Sequence, residues 1–66
     1  MRIVVNGEAM DYAGEPNALE LLRSVGLEAD STVVELNGSV LERVSFEQAP
    51  LSEGDVVELV RFVGGG

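Results

Sequence analysis

The chain has 66 residues, 45% of them hydrophobic, and a net charge of −8 from 12 acidic residues against four arginines. One small domain is expected, burying only about 60% of the surface its unfolded chain exposes. With no Cys and no His, a disulfide framework, a thiolate nucleophile, an imidazole proton shuttle and Cys/His zinc sites are all excluded. The acidic balance repels phosphate backbones and anionic lipid, so no nucleic acid and no membrane partner is expected, whereas a basic protein surface would be attracted.

Mean hydropathy of +0.20 is high for so small a chain, which implies that some apolar residues face outward as a contact patch. No apolar stretch is long enough to span a bilayer, and the N-terminus lacks a signal peptide's apolar region, so a cytoplasmic protein is expected.

In chain order, Arg2 to Asn6 reads as a strand, Asn6-Gly7 as a type I′ turn, and Ala9 to Tyr12 as the returning strand of a hairpin. Ala13-Gly14-Glu15-Pro16 breaks that pattern. Asn17 stands at an N-cap position with Glu20 three residues on, a capping-box-like pair. A helix is expected from Ala18 to Val25, with Ala18, Leu21, Leu22 and Val25 on one face and Gly26 at its C′ position.

After the polar connection of residues 28–31, Thr32 to Leu36 forms a strand, Asn37-Gly38 a second I′ turn, and Ser39 to Leu41 its partner. A short helical turn is expected around Phe46-Glu47-Gln48. Leu51 to Asp55 reads as a turn and Val56 to Val63 as the last strand, parallel to the first. The fold class is α+β, with a mixed sheet of four to five strands packed on one helix.

Period-two alternation sorts the last strand into two faces. Val57 and Leu59 are expected under the helix with Ile3 and Val5, because an unpaired Glu58 is costly to bury. Glu58, Val60 and Phe62 then share the opposite face, with Val60 and Phe62 beside Val4 or Val33. That trio reads as a partner-binding patch rather than as peripheral core folded over the sheet edge. Glu42, Glu47, Glu53, Asp55 and Glu58 would add an acidic face. No pocket is implied around any carboxylate pair, so no catalytic residue is assigned.

Beyond Val63 stand Gly64, Gly65 and Gly66. Three residues extend roughly 10 Å, and without Cβ atoms they pass through a channel that admits little more than backbone. Residues 1–63 are therefore read as the domain and 64–66 as a flexible tail.

The opening Met1-Arg2-Ile3-Val4-Val5-Asn6-Gly7, the segment Val34-Glu35-Leu36-Asn37-Gly38, the Gly54-Asp55-Val56 turn and the ending Arg61-Phe62-Val63-Gly64-Gly65-Gly66 carry a resemblance. Together they resemble the ThiS family of sulfur carriers in bacterial thiamine biosynthesis, over the whole chain. Arg43-Val44-Ser45-Phe46 is similar to the family's arginine-aromatic segment.

The resemblance implies a ubiquitin-like β-grasp fold and no bound cofactor. It also implies a protein co-substrate rather than an enzyme. An E1-like adenylating enzyme (ThiF type) would use Mg-ATP to activate the Gly66 carboxylate, with Gly64 and Gly65 threading its active site. A persulfide sulfur donor would convert the activated group to a thiocarboxylate, and a thiazole synthase (ThiG type) would take up the sulfur. Two alternatives stay open at this point. One is a sulfur carrier for molybdopterin or cysteine synthesis, disfavoured in the first case by the absence of proline before the glycines. The other is a ubiquitin-like binding or conjugation module without sulfur chemistry.

Overall fold

The computed structural model describes residues 1–63; Gly64, Gly65 and Gly66 lie outside the described residues, and with them every expectation placed on the tail. Among the described residues the strands are β1 (Arg2–Val5), β2 (Glu8–Asp11), β3 (Thr32–Leu36), β4 (Ser39–Leu41) and β5 (Val56–Arg61), with one α-helix, α1 (Ala18–Ser24). They form a single five-stranded sheet in the order β2-β1-β5-β3-β4. β5 lies at the centre, parallel to β1 and antiparallel to β3. This is the mixed sheet with one helix expected of a β-grasp. No described helix is long and apolar enough to cross a membrane.

Both hairpins turn on an Asn-Gly pair in the left-handed region, with φ of 50° and 82° at Asn6-Gly7 and 51° and 86° at Asn37-Gly38. Type I′ geometry needs positive φ at both central residues, which asparagine tolerates and glycine adopts freely. The two asparagines also reach β5. Asn6 Oδ1 accepts from Leu59 N–H at 2.7 Å, extending the β1–β5 ladder past the point where β1 turns away. Asn37 Oδ1 accepts from Val56 N–H at 2.9 Å, while its Nδ2 donates to Asp55 Oδ1 at 3.0 Å. Dipeptides that read locally as turn chemistry thus also clamp the central strand.

Asn17 caps α1 as expected, its side chain accepting from Glu20 N–H at 2.9 Å. The reciprocal half of the capping box is not made. The Glu20 carboxylate pairs with Arg23 at 2.7 Å, and Asn17 N–H donates to the Glu15 carbonyl. Two of the remaining free N–H groups of the first turn donate to a distant loop, Ala18 to the Ala49 carbonyl and Leu19 to that of Phe46.

The helix is one residue shorter than the spacing predicts. Val25 is its C-cap and 38% exposed, Gly26 takes a φ of +78°, and Leu27 N–H closes back on the Leu22 carbonyl. A seven-residue helix has little stability alone, so packing and the loop hold it in place.

Three further boundaries differ from expectation. The helical turn near Phe46 is a 3₁₀ turn at Arg43–Ser45, and Phe46 follows it into the core. A second 3₁₀ turn, Ala29–Ser31, occupies the polar connection. β5 ends at Arg61, although Phe62 N–H still donates to the Ser31 carbonyl at 3.0 Å.

The core lies between α1 and one sheet face: Ile3, Ala18, Leu21, Leu22, Val34, Val57 and Leu59, closed by Phe46, Ala49 and Leu51 from the 46–55 loop and by Tyr12. Tyr12 Oη donates to the Glu15 carbonyl at 2.6 Å. A Cβ at Gly14 would stand 2.6 Å from that same oxygen, so the break after β2 accepts no side chain there without moving the ring. Burial raises the Tyr12 phenol pKa above its usual value, and the Glu20 and Glu15 carboxylates add to the effect.

Candidate protein-docking face and the base of the tail

Strand register determines which side chains share the face turned away from α1. On β5, Val57 and Leu59 point inward and are 1% and 7% exposed. Their neighbours Val56 and Val60 point outward and are 44% and 55% exposed. Val60 lies opposite Val33 of β3, and Val4 of β1 lies opposite Val56, so Val33 is the neighbour of Val60 and Val4 is not. Val5 is only half-buried, packed against the core rather than within it.

Phe62 is 47% exposed and stands outside the core cluster. With Val63 and Arg61 it lines an open depression completed by Gly26, Leu27, Glu28 and Ser31, where the chain leaves the sheet toward the terminal glycines. Val60, Glu58 and Phe62 are therefore all exposed, Glu58 and Val60 within the central strand and Phe62 just past its end.

Of the five carboxylates expected to form an acidic face, Glu53 and Asp55 accept hydrogen bonds and Glu58 faces another carboxylate. The Glu53 carboxylate accepts from Arg2 N–H of β1, and Asp55 accepts from Ser52 N–H in its own turn and from Asn37. Glu58 instead faces Glu35, directly across the β3–β5 pair. Sequence reasoning named Val33 but missed Glu35, Val40 and Val56 as members of this face. Alternation places Val33 with Glu35 inside β3, but only the register brings that pair beside Glu58 and Val60.

The ThiS family profile matches residues 3–66. The chain belongs to the ThiS family. Among relatives, the sulfur carrier protein ThiS of Bacillus subtilis is 32% identical over 63 residues, covering 94% of this chain and 96% of that protein. The crystal structure of a thiamine biosynthesis protein (ThiS) from Geobacter metallireducens superposes with a TM-score of 0.83 at 40% identity, each chain fully covered. A solution structure of a thiamine biosynthesis protein from the same organism gives 0.80 at 42%, covering all of this chain and 88% of that one.

Two thiazole synthases also match this ThiS-family chain along its whole length. They come from Paramagnetospirillum magneticum and Magnetococcus marinus, at 32% and 33% identity. The chain spans only 20% of the length of each. The ThiS fold thus occurs both as a chain of this size and as one-fifth of a much longer polypeptide.

Proposed function

We propose that the protein is the sulfur carrier of thiazole formation in thiamine biosynthesis, acting as a co-substrate through a C-terminal thiocarboxylate on Gly66. The observation that carries this reading is the match to ThiS over residues 3–66, a span that takes in the glycine tail as well as the folded domain.

A carboxylate is a poor electrophile because its leaving group would be oxide. An E1-like adenylating enzyme of the ThiF type removes that obstacle by joining the Gly66 carboxylate to the α-phosphorus of Mg-ATP, releasing pyrophosphate. The terminal sulfur of a persulfide then attacks the acyl carbon and expels AMP. Cleavage of the resulting S–S bond by a two-electron thiol reductant leaves the thiocarboxylate. In this scheme Gly64 and Gly65 supply reach without bulk, and Val60, Phe62 and Glu58 meet the partner where the tail departs. ATP, magnesium and the persulfide belong to the partners, and the chemistry takes place in the cytoplasm, where ATP is supplied.

A thiazole synthase of the ThiG type is the proposed acceptor. The two thiazole synthases that contain a stretch matching this entire chain support it, because placing both parts on one polypeptide keeps donor and acceptor at high effective concentration.

The test is the intact mass of the protein after incubation with the adenylating enzyme, Mg-ATP and a persulfide donor. A gain equal to the difference between one sulfur and one oxygen atom, located on Gly66 by fragmentation, is expected. Deleting Gly65 and Gly66 should abolish the gain while leaving the circular dichroism spectrum unchanged. Loading that survives the deletion would sink the tail mechanism.

A further inference from the structure

The outer sheet face contains an arrangement that the fold does not use. Glu35 and Glu58 are cross-strand neighbours at the centre of the sheet. Along the strands they are flanked on one side by the Val33–Val60 pair and on the other by Val56, and Val40 lies opposite Glu35 on β4. Like charges directly opposite each other on an antiparallel pair are unfavourable.

Nothing in the described chain relieves that repulsion. Among the described residues neither carboxylate takes part in an ion pair, and neither accepts a side-chain hydrogen bond. Arg23 is paired with Glu20 and Arg43 with Asp30. Arg61 belongs to the opposite alternation of β5, and Arg2 lies at the far end of β1, opposite Asp11. The free protein therefore keeps two unpaired carboxylates side by side within an apolar surface of four exposed valines.

Building on the carrier reading above, we propose that the Glu35–Glu58 pair is a socket for an arginine of the adenylating enzyme, projecting from an apolar surface that covers Val33, Val40, Val56 and Val60. Charge complementarity selects this occupant. A single cation turns the repulsion between the carboxylates into two attractions, and the planar fork of a guanidinium bonds two carboxylates at once where an ammonium is a point charge. The surrounding valines exclude water once covered, which strengthens the ion pairs. A second copy of this chain does not fit the face. Stacking two such surfaces would enclose four carboxylates with no cation between them.

Affinity for the source organism's purified adenylating enzyme tests the proposal, measured calorimetrically at low and high salt for the wild type, Glu35→Gln, Glu58→Gln and the double variant. Each single change should weaken binding at least about tenfold and flatten its salt dependence, and the double change should add little to either, because one guanidinium serves both carboxylates. The melting temperature of the variants should equal or exceed that of the wild type, since the substitution removes repulsion from the folded protein. An unchanged Kd, or weakened binding that tracks a lowered melting temperature, would overturn the socket. So would normal binding to the adenylating enzyme combined with a loss confined to thiazole synthase.

The same samples carry a separate readout of the carrier reading. A wild type that binds the enzyme but never gains sulfur on Gly66 would refute the carrier and leave the socket standing. A wild type that loads normally while the variants bind as it does would refute the socket alone.

Discussion

The two faces of the β-sheet use the same residue type for opposite ends. Val57 and Val34 on the inner face are each 1% exposed, while Val56, Val60 and Val40 on the outer face are 44%, 55% and 66% exposed. Valine suits any strand because its branched side chain packs well on a pleated surface, so its presence does not say which face will be covered. The inner face is completed within the chain, by α1 and the 46–55 loop. Nothing in the described chain covers the outer face, which also holds a charge pair that lacks its counterion. The inner face serves stability, and the outer face is the one we propose for a partner.

The strongest way to break that comparison is to truncate one residue on each side. Leu59→Ala should cost about 2–5 kcal/mol in urea unfolding, as buried leucines do. Val60→Ala, the next residue, should stay within about 0.5 kcal/mol of wild type. Similar costs at the two positions would mean that the outer face carries the fold as well.

Phe62→Ala sharpens the contrast from the binding side. Affinity for the adenylating enzyme should fall about tenfold, as at a packed aromatic contact, with little change in melting temperature. A loss seen mainly in melting temperature would return Phe62 to the core.

A smaller effect is expected from Asn6→Gly, which retains the positive φ but removes the acceptor of Leu59 N–H. Equilibrium unfolding should show a loss of about 1–2 kcal/mol, the cost of leaving a partly buried donor unsatisfied. No loss would mean that the clamp on β5 is dispensable and that the ladder alone separates the two faces.

The smallest effect concerns pH. Because the folded state raises the Tyr12 pKa, the unfolded chain releases that proton first as pH climbs. Stability should therefore decline as pH rises through about 10 and level off above the folded-state pKa. Tyr12→Phe should flatten this alkaline slope, read as melting temperature against pH. An unaltered slope would assign it to other groups.

Much of this was legible along the chain. Both Asn-Gly turns, the Asn17 cap, the inward pair Val57 and Leu59 and the order of elements each rest on contacts spanning a few residues, where local sterics and alternation dominate. The sequence was less informative wherever distant segments meet. Val25 has the right spacing for the core, but the helix stops before it because Gly26 turns the chain. Glu53 and Asp55 look like free surface charge, yet Glu53 accepts from Arg2 N–H of β1 and Asp55 from Ser52 N–H and Asn37.

What the sequence alone determined is the set of turns, the helix start, the alternation of each strand and the family. What tertiary structure decided is how the strands line up. Glu35 and Glu58 lie 23 positions apart, and nothing local relates them until β3 and β5 pair with one particular register. A slip of one residue would send every side chain of β5 to the other face. The asparagine clamps and the buried Val57 and Leu59 prevent that slip, and so place two carboxylates and four valines together on the surface.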